Sequence, residues 1–150
     1  MRYRRLTAFD TGGTRPVFVR LVIPDVHPRS MEPTGVVQAA YRLRRQGPLT
    51  PDTRRRLDQE LDWLNANLAE PSRFVRTKSK GFYRRDPVAV SWFRPEAADH
   101  IAHAETIAGI VADHGMTVQL LHTAHPGYVV YQDAHQVVAI PFRDRGWVRA

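Results

Sequence analysis

Residues 88–142 read VAVSWFRPEAADHIAHAETIAGIVADHGMTVQLLHTAHPGYVVYQDAHQVVAIPF. How this stretch divides decides the fold. Val88 to Phe93 is a short, nearly continuous apolar run between Pro87 and Pro95, the composition of a strand covered on both faces. Pro95 and Glu96 predict the opening of a helix, since proline is tolerated in a first turn and a carboxylate suits the positive end of the helix dipole. Gly115 predicts its end after His114. Ala97, Ile101, Ala104, Ile107, Ala108 and Val111 fall on one broad face of that helix, with Asp99, Thr106 and Asp113 opposite, so the helix should lie on a sheet. Thr117 to His122 is the next expected strand and His125-Pro126-Gly127 a turn. Tyr128–Tyr131 and Val137–Ile140 then form a hairpin joined through residues 132–136. The order is β-α-β-β-β. A helix of this length serves as a crossover, which makes the strands at Val88–Phe93 and Thr117–His122 neighbours or near neighbours in one sheet.

Working upstream, residues 1–33 predict a hairpin and a loop. Arg2–Phe9 and Val17–Ile23 are its strands, joined by Thr11-Gly12-Gly13-Thr14, and Pro24–Pro33 is the loop. In the second strand Val17, Val19, Leu21 and Ile23 face one way and Phe18, Arg20 and Val22 the other. Residues 34–70 read as a helical hairpin. Thr34 is the expected cap of a helix ending at Gly47, with Val36, Ala40 and Leu43 as its apolar stripe. Thr50-Pro51-Asp52 starts a second helix whose Leu57, Leu61, Leu64 and Leu68 make a stripe that Trp63 does not share. Trp63 is expected under the loop that follows. Residues 71–87 form a basic aromatic loop and residues 88–142 the β-α-β-β-β unit. The fold class is α/β or α+β: a single domain with a mixed β-sheet of about five or six strands and three covering helices.

Composition excludes several functions. The chain has 150 residues and no cysteine, which removes disulfides and thiolate metal sites. The first ten residues carry charge but no apolar core of a secretory signal, and no run approaches the length of a membrane span. A cytoplasmic location without membrane contact is the expectation. The net charge of +7 is unevenly placed: residues 1–85 hold 18 Lys/Arg against 8 Asp/Glu (+10), and residues 86–150 hold 4 against 7 (−3).

The basic excess peaks in Pro71–Arg85. Arg73, Arg76, Lys78, Lys80, Arg84 and Arg85 interleave with Phe74, Phe82 and Tyr83, and no acid appears between Glu70 and Asp86. Cations of this density neutralise phosphates while aromatic rings stack on unpaired bases. Arg42, Arg44 and Arg45, at the end of the first helix, are expected to assist.

Four histidines form two H-x-x-H pairs, His100/His103 and His122/His125. One pair lies on the long helix and the other at a strand end, so the pairs are candidates to converge as nitrogen ligands. Against this, the spacing is not that of zinc peptidases, and His100 projects among Ala104, Ile107 and Val111, where a buried, hydrogen-bonded imidazole is expected. No metal or other cofactor is assigned. Asp10-Thr11-Gly12-Gly13-Thr14 contains the tripeptide of aspartic proteases and a phosphate-turn-like pattern, but the first needs an all-β fold and the second two large lobes. No serine stands in a nucleophile elbow, and turn positions account for Asp133 and Asp144. The expected function is therefore a nonenzymatic basic binding module that docks an anionic partner, nucleic acid first or else an acidic protein surface. The alternatives are a regulator or inhibitor of a larger protein, binding as a protein partner, and a histidine-dependent or metal-assisted hydrolase.

Overall fold

Strand β1 runs from Phe18 to Val26, and the other strands assemble around it. The computed structural model describes residues 17–26, 31–69, 89–142 and 148–149. The expected strand at Arg2–Phe9 and the Gly12-Gly13 turn lie outside these residues. β1 is apolar on both faces: Leu21 and Ile23 join the helical side of the core, and Phe18 and Val22 join a second cluster on the opposite side. It continues past Ile23, so the expected loop at Pro24–Pro33 is shorter than its three prolines imply. Strand β2 (Pro33–Gly35) pairs back onto β1, with Val22 opposite Gly35 and Val26 opposite Pro33. Pro24 fits because the ladder is irregular between Ile23 and Val26, where a missing N–H removes no bond.

The remaining strands are β3 (Val90–Phe93), β4 (Gln119–Thr123), β5 (Tyr128–Gln132), β6 (Gln136–Ile140) and the short β7 (Val148–Arg149). Their order in one sheet is β5-β6-β3-β1-β4-β7, with β2 also on β1. The described strand pairs are all antiparallel. β3 and β4 each run antiparallel to β1 and hence parallel to one another, as the crossover reading requires, but β1 lies between them. The parallel relation therefore spans a strand, no two adjacent described strands run parallel, and the fold is α+β.

Helix α1 spans Val36–Gln46, α2 Pro51–Asn67 and α3 Ala98–Asp113. Thr34 does not cap α1. Gly35 holds the cap position without a side-chain bond, and the Thr34 hydroxyl instead donates to Asp25 O at 2.8 Å, tying β2 to β1. Thr50 does cap α2, accepting from Thr53 N at 3.2 Å. α3 begins two residues beyond Glu96, because Pro95 and Glu96 are used in a turn that Ala97 N closes onto Arg94 O at 3.0 Å. Gly115, at φ 92°, takes the left-handed conformation that ends α3.

α3 is the centre of the helical layer. It touches β1 below while α1 and α2 pack on it, so side chains are buried almost all round it, including Ile101, Ile107, Ile110 and Val111. α2 rests chiefly on α3 rather than on the sheet. Leu57, Leu61 and Leu64 close the core between them, as their spacing predicts, and Leu68 follows the last helical residue half-buried. On the other side of the sheet Phe18, Val22, Val90, Trp92, Leu121 and Val137 form the second apolar cluster.

Candidate functional site

The connection between α1 and α2 collects arginines from both helices. Arg42, Arg44 and Arg45 lie in the last part of α1, and Arg54, Arg55 and Arg56 in the second turn of α2. The two sets are physically linked: the Arg54 guanidinium donates to Arg44 O at 3.3 Å, a cation on the negative end of α1. Three of the six are held by carboxylates. Arg42 pairs with Asp25 at 3.1 Å, Arg44 with Asp58 at 2.9 Å, and Arg55 with Asp52. Arg45 and Arg56 are exposed and engage no carboxylate among the described residues. Six cations against Asp25, Asp52 and Asp58 leave an excess of positive charge around this tip, with some guanidinium groups oriented by ion pairs and others free to reach a ligand. Arg54, Arg55 and Arg56 were not among the residues the sequence reading selected, although they stand consecutively in it.

Arg73, Arg76, Lys78, Lys80, Phe82, Tyr83, Arg84 and Arg85 lie outside the described residues. The nearest described residues on the two sides are Ala69 and Ala89, and one side chain links Ala69 to Ser91 on β3. Gln136, fully buried on β6, donates from Nε2 to Ala69 O at 3.0 Å and accepts at Oε1 from the Ser91 hydroxyl at 2.6 Å. The same Nε2 donates to Asp133 Oδ2 at 3.3 Å. Asp133 also accepts from Tyr131 OH and from the backbone N–H of His135 and Gln136, each within 3.0 Å. Burial acts to raise its pKa, but these hydrogen bonds, led by the His135 N–H, outweigh it and hold the carboxyl below its ordinary value. Asp133 is thus a turn residue that organises the β5–β6 connection, as its position implies.

The histidines meet in a different combination from the one their spacing suggests. His100 is buried, and its Nε2 donates to Asn67 O at 2.9 Å, which agrees with its place on the apolar face of α3. Its ring stacks on His135 at 4.1 Å and meets the edge of Trp63 at 4.9 Å. Trp63 in turn stacks on His103 at 3.9 Å, and His103 Nδ1 bonds the Glu60 carboxylate. Trp63 therefore covers the histidines of α3 as part of the α2–α3 seam. His122 lies on β4 opposite Val19, and the structure places neither it nor His125 in this stack. Among the described residues, no three His, Asp or Glu side chains stand where they could hold a metal ion. His135 was missed because it belongs to a turn 35 residues from His100, where no periodicity links the two.

Arg20 is the remaining unusual cation. It lies on the sheet face with Phe18 and Val22, and its Nη1 donates to Pro33 O at 2.8 Å. Burial lowers its pKa to about 10, opposed by the buried carboxylate of Glu32. It is tied to the β1–β2 ribbon, not presented to a ligand. No described helix is long and apolar enough to cross a membrane. Compared with family models, curated proteins and solved structures, the chain matches none of them.

Proposed function

We propose that the protein is a nonenzymatic basic binding module that docks an anionic partner, nucleic acid first, through the arginine tip of the α1–α2 hairpin together with the Pro71–Arg85 segment. The observation that carries this reading is the gathering of Arg42, Arg44, Arg45, Arg54, Arg55 and Arg56 at one connection, with Arg45 and Arg56 exposed and not neutralised by a described carboxylate. Guanidinium groups match phosphate oxygens in pairs, and those already steadied by Asp25, Asp52 and Asp58 lose less freedom on binding. In sequence, the Pro71–Arg85 segment that follows α2 adds six basic residues and three aromatic rings within fifteen positions. Cations supply the salt-dependent part of binding and rings the stacking part.

The test is a titration of labelled single- and double-stranded oligonucleotides at several salt concentrations. It compares the wild type with Arg76→Ala/Lys78→Ala and with Phe82→Ala. Removing the cations is expected to weaken binding and flatten its salt dependence. Removing the ring is expected to cost about 1–3 kcal/mol with little change in salt dependence, because stacking releases no counterions. Identical curves for the three proteins would reject nucleic acid as the partner of this segment.

A further inference from the structure

We propose that the β5 edge of the sheet is the contact through which two copies of this chain associate. β5 is the last strand of the sheet order, and among the described residues no strand lies beside its outer edge. Its Tyr128-Val129-Val130-Tyr131 run is uncharged, aromatic and β-branched, with Tyr128 68%, Val129 48% and Val130 36% exposed. Folded proteins usually protect such an edge with lysine, proline or a covering loop, since its outward N–H and C=O groups template pairing with another strand. Here the strand itself carries none of these charges or prolines. Its one irregularity is the register shift between Val129 and Tyr131, which leaves Val130 as an extra residue.

Charge selects the occupant. Residues 124–142 contain a single charged residue, Asp133, whose carboxylate is occupied by its own turn. Among the described residues the cation bonded at this strand is Arg94, whose guanidinium is already engaged by Gln132 Oε1 and Asp133 O, each at 2.6 Å, which leaves little for an anionic partner to claim. A second copy of a +7 chain is repelled at the arginine tip but not here. Edge pairing also requires a strand with an open edge of its own. The opposite edge, β7, has only two residues and includes Arg149, whereas β5 of another copy offers the same five-residue apolar strand. Antiparallel pairing of β5 with itself is a closed two-fold contact, so association stops at the dimer. The register that sets Tyr128 opposite Tyr131 and Val129 opposite Val130 pairs aromatic with aromatic and β-branched with β-branched, the cross-strand pairs that suit a sheet. The extra residue at Val130 bends the strand and shortens the usable ladder. A contact of this size lies below that of permanent dimers, so the dimer forms as concentration rises.

Sedimentation velocity of the full chain from low to high micromolar concentration tests this, with circular dichroism confirming that variants are folded. The wild type is expected to move from the 17.2 kDa of one chain toward twice that mass. Val129→Lys/Val130→Lys, at exposed positions, is expected to stay at one chain throughout. Amide exchange of residues 128–132 is expected to slow with concentration in the wild type only. A single-chain mass at the highest concentration, a dimer undiminished in the double variant, or β5 exchange that ignores concentration would each overturn the proposal. So would protection of β5 that appears only on adding an extended peptide, which would assign the edge to a different occupant.

Discussion

Replacing Gln136 with methionine keeps the length of the side chain and removes its amide. In the native protein that amide serves Ala69 O at 3.0 Å, the Ser91 hydroxyl at 2.6 Å and Asp133 Oδ2 at 3.3 Å, all from a position with no solvent exposure. Asp133 keeps its other donors, but Ala69 O and the Ser91 hydroxyl lose this partner. A polar group left fully buried and unpaired costs about 1–3 kcal/mol; Ala69 and Ser91 are half-buried, so water meets part of the need and the two together predict a loss of roughly 2–4 kcal/mol, the lower part of the sum. That is a large fraction of the roughly 5–15 kcal/mol expected for a domain of this kind. With a urea slope of about 2 kcal/mol/M the unfolding midpoint should fall by roughly 1–2 M without a change in slope. A cycle adding Ser91→Ala should show coupling of about 0.5 kcal/mol or more, because the two residues share a bond. If Gln136→Met moves the midpoint by less than its experimental error, the amide is not holding these groups and the account of how the Pro71–Arg85 segment is flanked is wrong.

Two further outcomes follow from the same hairpin and its turns. Gly127 sits at φ 134°, and a Cβ there would stand 2.1 Å from Ile140 O, so Gly127→Ala should destabilise the fold by at least the roughly 1–3 kcal/mol of a strained backbone position, read by thermal unfolding; a loss below about 0.5 kcal/mol would contradict the geometry. Asp133 has a folded pKa below its unfolded one, so its contribution is fully present above the ordinary carboxylate range and is lost as pH falls through the lowered value. Asp133→Asn should therefore flatten the acid limb of stability measured by urea unfolding at stepped pH, and an unchanged limb would count against the network.

Most of the fold was legible because it rests on strong periodic signals. The leucine spacing of α2, the Thr50-Pro51 start, the apolar face of α3 and the β-branched runs of β5 and β6 each reported their own environment. What was not legible depended on distant partners. Thr34 has the chemistry of a cap, but its hydroxyl donates to Asp25 O on the paired strand and Gly35 takes the cap position. β1 passes through Pro24 because a ladder irregularity excuses the missing donor, and no local rule announces that. The parallel relation of β3 and β4 was correct, but nothing in either strand shows that β1 separates them. At the candidate site, Arg42, Arg44 and Arg45 were selected by density alone. Arg54, Arg55 and Arg56 join them because the helical hairpin folds back, bringing Arg54 onto Arg44 O. The two H-x-x-H pairs were misleading for the same reason: His100 meets His135 and Trp63 through tertiary packing.

The central claim is that phosphate-like charge is bound at the arginine tip, and the salt dependence of oligonucleotide affinity tests it most directly. Affinity of the wild type and of Arg45→Ala/Arg54→Ala/Arg56→Ala is measured across a series of monovalent salt concentrations. The account predicts a linear fall of log affinity with log salt in the wild type, and a slope shallower by about one unit for each phosphate contact removed in the variant. Binding no tighter than about millimolar at low salt, where even nonspecific nucleic-acid binders do better, would contradict it. So would a variant whose affinity and slope equal those of the wild type.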